Sequence, residues 1–405
     1  MKTATLLAAV LVLALPAWTL EIRVNDNPIY DQAPRLVKEA INARLFAAGE
    51  GEDEIRILHL WGAPREMGRA YGAMMKEDIA NYTALVLGLM SQEIEGGAEK
   101  IDQVYELAKS YIPEEIIEEL QGLAEGSGVD FKQLLRVNLI GDASEWHCSL
   151  FGAWGAATAS TGSLLQLRAL DYAVRAEIQK YPLITVYHPE KGHAFANIGW
   201  VGMIGVVTGM SSAQMAVSEI GDDYDQANDS FEAMPFVYLL RNIMQYDESL
   251  EQAIERMRST KRNTSLMYAV GDGKKGEARA FQTSHTLCNV YDPQNLEPLT
   301  DSHPRIDDIV YWGMSWNVPA FDKPLHDMLV KNYGKLTGET TIHEILPTVR
   351  TGNLQVAVYD LTRMILWTAN AASKGEAGPL EAYKRAYVKL DMNKVFSEKR
   401  PEGKE

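Results

Sequence analysis

The apolar positions along the chain change period near residue 148. From about Pro34 to Ser144 the spacing reads as helical, most clearly in Met67, Tyr71, Met74, Met75, Ile79 and Tyr82, which recur at intervals of three and four as one stripe on a long helix. Such a methionine-rich stripe marks a core face. Ile101 to Ser110, Pro113 to Ala124 and Val129 to Ile140 read as further helices, with Pro113 at a start and Gly126 and Gly128 past an end.

From Cys148 onward the pattern shortens. Residues 149–220 are brief runs of Ala, Val, Ile, Leu and aromatics punctuated by glycines, which predicts strands joined by turns. Ala233 to Gln245 and Leu250 to Arg258 read as helices, followed by strands over 265–271 and 277–283. Phe321 to Tyr333 and Ile342 to Val349 again read as helices, and Gln355 to Tyr359 with Arg363 to Ala369 as a closing strand pair. This order predicts an α+β architecture, an αββα sandwich of two antiparallel sheets between helical layers, preceded by a helical N-terminal segment. No internal repeat appears, and the tail after Ser397 is charged and loose.

The first residues stand apart. Lys2, the apolar run Leu6 to Leu15 and the small residues around Pro16-Ala17-Trp18-Thr19 read as a secretory signal peptide over 1–19. The expected location is secreted, periplasmic or a lysosome-like lumen, with no membrane span in the mature form. The division expected is 1–19 signal, 20–147 helical segment and 148–405 catalytic region. Net charge is −16, most of it in residues 20–147. Such a surface repels phosphate backbones and excludes a nucleic-acid partner.

The chain has only two cysteines, Cys148 and Cys288. In an oxidising compartment they could form one structural disulfide, or Cys148 could be a free, reactive thiol. Its surroundings favour the thiol. A helical, acidic segment ends at Trp146-His147 and a strand begins with Cys148; Arg168 follows twenty residues on and Asp171 three beyond it. If the bond before Cys148 is cut, the freed α-amine, with a pKa of about 7.7–8.0, serves as base to the thiol of its own residue, ordinarily near ~8.5. Arg168 could then lower the thiol pKa and hold a substrate carbonyl, and Asp171 could orient the α-amine. On a regular strand Arg168 and Asp171 point to opposite faces, so they share a site only if the strand ends or bulges near Leu170. Read separately, the bland meanings are a small buried Cys and a surface ion pair.

Three segments in order carry a resemblance. Gly62-Ala-Pro-Arg-Glu-Met-Gly68-Arg-Ala-Tyr-Gly72, the block Gln121-Gly122-Leu123-Ala124-Glu125-Gly126-Ser127-Gly128-Val129-Asp130 with a helix ending in Asn138, and Cys148 with Arg168-x-x-Asp171 resemble the acyl-coenzyme A:6-aminopenicillanic-acid acyltransferase-like family (peptidase family C45). That family lies among the N-terminal-nucleophile hydrolases, with choloylglycine hydrolases and acid ceramidase. The likeness is closest over residues 59–171 and continues loosely to about 285.

The resemblance implies autoproteolysis between His147 and Cys148, no cofactor or metal, and hydrolysis or transfer of the acyl group of a small-molecule linear amide. It also implies that Asn263 stabilises the oxyanion. Asn263 is one of three Asn-X-Ser/Thr sequons, with Asn81 and Asn228, and a buried oxyanion role excludes a glycan there. The two fragments are expected to stay together, because the Met67–Tyr82 stripe would otherwise be exposed. One departure stands out: in Gly209-Met210-Ser211-Ser212-Ala213-Gln214, Ser211 replaces the family's usual Asn and Gln214 its usual Gly, which puts acyl preference and activity in question.

Three other readings compete. Ser211 as a serine nucleophile lacks the closing glycine of the strained elbow. His188 and His193 lack a third metal ligand. A non-catalytic secreted homologue that binds a lipid or protein partner remains as the alternative, motivated by Ser211 and opposed by the retention of Cys148, Arg168 and Asp171 together.

Overall fold

The structure is a computed structural model, and it describes residues 20–402 apart from residue 95 and residues 144–146, 222–223, 298–302 and 314–321. The expected signal peptide lies outside the described residues. The chain opens with β1 (Ile29–Tyr30), β2 (Arg35–Ala40), β3 (Ala43–Ala48) and β4 (Ile55–Gly62). Helices follow: α1 (Pro64–Met74), α2 (Lys76–Glu93), α3 (Gly97–Ala108), α4 (Glu114–Ser127) and α5 (Phe131–Leu139). Then come β5 (His147–Ala153), β6 (Leu165–Asp171), β7 (Pro182–Pro189), β8 (Phe195–Trp200), β9 (Thr208–Ser211) and β10 (Met215–Gly221). After α6 (Phe236–Tyr246) and α7 (Leu250–Ser259) run β11 (Leu266–Asp272), β12 (Glu277–Thr283), β13 (Cys288–Tyr291) and β14 (Ile309–Gly313). The last part holds α8 (Lys323–Lys331), α9 (Gly338–Thr340), α10 (Leu346–Val349), β15 (Gln355–Asp360), β16 (Ile365–Asn370), β17 (Tyr387–Asp391) and α11 (Met392–Phe396).

The strands form a seven-stranded sheet, β1-β17-β16-β15-β6-β5-β14, and a ten-stranded sheet, β13-β12-β11-β10-β9-β8-β7-β4-β3-β2. Three apolar clusters stack through the molecule and define its layers. Cys148, Leu150, Leu170, Ile184, Ile198, Met267, Ala280 and Tyr359 fill the space between the sheets. Tyr187, Phe195, Val217 and Tyr268 turn outward from the ten-stranded sheet onto α1 to α7. Phe151, Leu167, Val358 and Trp367 turn outward from the seven-stranded sheet onto α8 and the Ile342–Leu346 turns. Strand side chains alternate between faces, so each sheet is buried on both sides. The α+β order of helix, sheet, sheet and helix layers is as the periodicity predicted.

Two expectations are corrected. The N-terminal segment is not helical from Pro34: β2 to β4 occupy Arg35 to Gly62, and the helical stripe begins only at Met67. The turn between β3 and β4 is set by Gly49 and Gly51 at φ 92° and 57°, values that favour glycine. Nor are the sheets purely antiparallel, since β4 pairs with β7, and β1 with β17, in parallel. Both parallel pairs join the segment before residue 148 to the part after it, which requires crossover connections rather than tight hairpins.

The glycine-spaced motifs have a packing cause. Gly68 and Gly72 of α1 face Gly122 and Gly126 of α4. A Cβ on Gly68 would stand 2.0 Å from the Glu119 carbonyl oxygen, and one on Gly122 2.2 Å from that of Arg65. The helices cross backbone on backbone, which only glycine permits. Beside the crossing, Glu119 forms a fully buried ion pair with Arg241 of α6, whose guanidinium lies 4.7 Å over the Tyr187 ring. Asn138, at the end of α5, donates to the carbonyls of Leu134 and Gly202 and accepts from the Ile204 N–H, while Tyr71 Oη accepts the Gly202 N–H at 2.7 Å. The helical layer is thus tied to the ten-stranded sheet by buried polar contacts as well as by its apolar stripe.

Candidate active site

Cys148 is the second residue of β5, just past the sharp change from helix to strand. It pairs with Leu170 of β6, and Leu150 pairs with Arg168. Paired residues share a face, so Cys148 and Arg168 both project between the sheets. Cys148 is 1% exposed there. Arg168 reaches across to β10, donating Nε–H to the Glu219 carbonyl at 3.1 Å and Nη2–H to Glu219 Oε2 at 3.2 Å, with both side chains buried.

Asp171 ends β6 and faces the other way. Its Oδ1 accepts the N–H groups of Gly352 and Asn353 at 2.9 and 2.8 Å, and its Oδ2 lies 2.7 Å from Thr351 Oγ1. The strand does not bulge; it stops at Asp171. The alternation expected from sequence holds, and the site is assembled around the β5 terminus from both faces of the sheet. A carboxylate offers about four acceptor positions, and these contacts use three of them.

Burial pushes the Cys148 thiol up to about 12. The Arg168 charge and a backbone hydrogen bond with Asp171 pull it down, while the Glu219 and Asp171 charges raise it further. Burial is the largest of these effects and keeps the sulfur a neutral thiol at pH 7. Burial also raises the carboxyls of Asp171 and Glu219, against the hydrogen bonds of the first and the Arg168 charge on the second. Glu219 was not singled out from sequence. The signal was present: a lone acid within the apolar strand Met215-Ala-Val-Ser-Glu219-Ile-Gly221, where a buried charge needs a partner.

Asn263 lies before β11 and is 2% exposed. Leu266 pairs with Gly221 and Tyr268 with Glu219, so Asn263 sits at the end of the ten-stranded sheet that carries Glu219. Its carbonyl accepts the Ser230 N–H at 2.9 Å. A side chain this buried leaves no room for a glycan, whereas Asn81 and Asn228 are exposed.

The remaining candidates separate from the site. Cys148 and Cys288 are both free, the first between the sheets and the second packed toward the helical face of the ten-stranded sheet. Ser211 ends β9 fully buried within the sheet, not on a strand-to-helix turn, which removes the elbow geometry a serine nucleophile needs. Gln214 adopts φ 58°, a left-handed value that favours glycine. That turn leads into Met215, four residues up β10 from Glu219 or roughly 13 Å of strand. The departure at Ser211 and Gln214 is therefore remote from Arg168 and Glu219. His188 lies 3.1 Å from His59 across β4 and β7, and the His193 N–H is bound to the Gln245 carbonyl. Among the described residues no three His, Cys, Asp or Glu side chains converge, and no helix is long and apolar enough to cross a membrane.

No family model matches the chain. Protein dcd1A of Dictyostelium discoideum is similar to it, at 28% identity over 92% of this chain and 93% of its own length. The mouse N-acylethanolamine-hydrolyzing acid amidase is 24% identical over 42% of this chain and 48% of its own length. Among solved structures, the Caenorhabditis elegans N-acylethanolamine-hydrolyzing acid amidase ortholog aligns with 60% of this chain and all of its own at 14% identity and a TM-score of 0.41.

Proposed function

We propose that this chain is a secreted amide hydrolase or acyltransferase of the N-terminal-nucleophile, C45-like kind, activated by cutting itself between His147 and Cys148. The observation that carries the reading is the β5 terminus, where Cys148, second on its strand, lies between the buried Arg168–Glu219 pair on one face and the Asp171 clamp on the other. The partial similarity to an acid amidase named for hydrolysing N-acylethanolamines supports an amide substrate.

In the first turnover the Cys148 sulfur attacks the His147 carbonyl carbon. A C–S bond forms, the C–N bond breaks, and the thiol proton ends on the departing nitrogen. Water then hydrolyses the thioester and leaves the α-amine of Cys148 free. With a pKa of about 7.7–8.0 this amine takes the thiol proton in later turnovers and returns it to the leaving amine. Opening the chain also admits solvent beside the sulfur, which relieves the burial that holds the thiol protonated. Arg168 supplies the positive charge that favours thiolate, Asp171 anchors the α-ammonium through its remaining acceptor position, and the Asn263 amide stabilises the oxyanion. Water or a second amine reaching the acyl-enzyme decides between hydrolysis and transfer.

The fragments stay together in this reading. Residues before the cut supply β2 to β4 to one sheet and β1 to the other, and Met67, Tyr71, Met74, Met75 and Ile79 lie in the core. The test is the intact mass of the purified protein under denaturing conditions, with Cys148→Ala alongside. The expected result is two chains, one starting at Cys148, and an uncut variant. A single uncut chain in both samples overturns the proposal. That outcome would favour a non-catalytic homologue binding a lipid or protein partner, the reading that the full burial of Cys148 supports.

A further inference from the structure

Three consecutive residues of the turn between α10 and β15 hold the Asp171 carboxyl. Thr351 Oγ1 lies 2.7 Å from Oδ2, and the Gly352 and Asn353 N–H groups converge on Oδ1 at 2.9 and 2.8 Å. A set of donors with no acceptor among them suits an ionised carboxylate. The turn is shaped for this. Gly352 stands at φ 84°, where a Cβ would meet Val356 Cγ2 at 2.4 Å, and its conformation lets successive amides face one anion. The far side of the turn is tied down as well. Asn353 Oδ1 accepts the Tyr172 N–H at 2.9 Å, and the Asn353 carbonyl accepts the Ala382 N–H at 2.8 Å.

Thr351 has a second neighbour. Its Oγ1 lies 2.8 Å from the hydroxyl of Ser149, the residue after Cys148, and both side chains are buried. A hydroxyl has one proton, and a carboxylate only accepts. Thr351 therefore donates to Asp171 and accepts from Ser149. The row Ser149, Thr351, Asp171 starts beside the nucleophile and ends on the residue paired with His147 across β5 and β6.

We propose that Thr351 is a positioning residue: it fixes the Asp171 carboxylate across the ladder from the bond to be cut and, through Ser149, holds the start of β5 once that bond is gone. The inference rests on the self-cleaving reading of Cys148. Cutting makes Cys148 a chain terminus, and termini loosen unless they are tied down. The departing Cys148 nitrogen takes up a proton, and a fixed carboxylate favours that charge. Burial raises the Asp171 carboxyl, and the Thr351 hydroxyl is foremost among the groups that hold it down, ahead of the two amides and Arg168.

The test is self-cleavage followed by intact mass, together with the titration of the freed Cys148 α-amine, read by NMR in protein isotope-labelled at cysteine. Thr351→Val keeps the shape and loses the hydroxyl. It should slow cleavage about tenfold, the worth of one hydrogen bond to a charged group, and the amine should titrate at lower pH than in the wild type. Thr351→Ser keeps the hydroxyl and should restore both. Ser149→Ala should lower the amine midpoint in the same direction and add nothing to Thr351→Val, since the two act through one row. Arg168, Glu219 and Asp322, the other charged groups acting on Cys148 or Asp171, are the same in every variant. A Thr351→Val amine that titrates as in the wild type, at whatever cleavage rate, overturns the positioning role and leaves the Cys148 assignment intact. If Thr351→Val stays uncut, the Ser149→Ala midpoint decides in the same way. A wild type that never cuts itself overturns the assignment, and the positioning role with it.

Discussion

The α1–α4 crossing permits a stability prediction whose size follows from distances. In Gly68→Ala the new methyl group would stand 2.0 Å from the Glu119 carbonyl oxygen and 2.8 Å from the Leu123 nitrogen. A carbon–oxygen contact settles near 3.3 Å, so the helices must part by about 1.3 Å. The obstacle is backbone on both sides, so no side-chain rotation relieves it. Overpacking of this kind costs roughly 1–3 kcal/mol. Shifting α4 also strains the buried Glu119–Arg241 pair, whose full loss costs about 3–5 kcal/mol. The higher helix propensity of alanine returns about 1 kcal/mol. The net expectation is a loss of about 2–4 kcal/mol. At roughly 2.1 cal/mol/K of unfolding entropy per residue, that lowers the melting midpoint by about 2–5 °C for a chain of this size.

Gly88→Ala is the matched control. Gly88 lies within α2, and an added Cβ there meets nothing within 4 Å. The same substitution should therefore raise stability by about 0.5–1 kcal/mol. Both variants would be compared by calorimetry in a Cys148→Ala background, so that all samples are single chains. A Gly68→Ala midpoint at or above that of the parent would refute the close-crossing argument.

Glu219→Gln and Arg168→Gln should move the Cys148 thiol in opposite directions, down for the first and up for the second, because Glu219 raises and Arg168 lowers its pKa. Thiolate absorbance against pH checks this, and a shift of the same sign in both variants would count against the pair's proposed role. Each variant should also lose about 3–5 kcal/mol of stability, having left one buried charge without its partner. At His59 and His188, burial lowers the pKa to about 3 and about 4, with each other's proximity adding to the effect at His59. The folded values lie below the ordinary 6.5, so their stabilising contribution is complete above about pH 6.5 and is lost as pH falls toward 4 and 3. His59→Phe should move the acid-unfolding midpoint, followed by circular dichroism, to lower pH; coincident curves would refute that.

Part of the candidate site was legible one residue at a time. Grouping Cys148, Arg168 and Asp171 rested on the family resemblance, but Cys148 at a helix-to-strand change and the opposed faces of Arg168 and Asp171 follow from local periodicity, because a strand's alternation is a property of the backbone. The layered α+β order was legible for the same reason. The β2–β3 hairpin was misread because Leu36, Val37 and Ile41 are exposed apolar residues at the sheet edge, so their pattern does not mark a buried face; β4 is a run buried on both faces, whose continuous apolar pattern carries no strand alternation.

What sequence alone could not decide is which elements lie side by side. Glu219 becomes Arg168's partner only because β10 stacks across the sandwich from β6, and Thr351 reaches Asp171 only because β15 pairs with β6. The glycines of α1 and α4 are spaced alike in sequence, yet their need for a bare Cα arises where two backbones touch. Periodicity fixes which way a side chain points, because that depends on neighbours along the chain. The burial that holds the Cys148 thiol neutral, and the charges that act on it, come from residues brought together by packing over separations of twenty to two hundred positions.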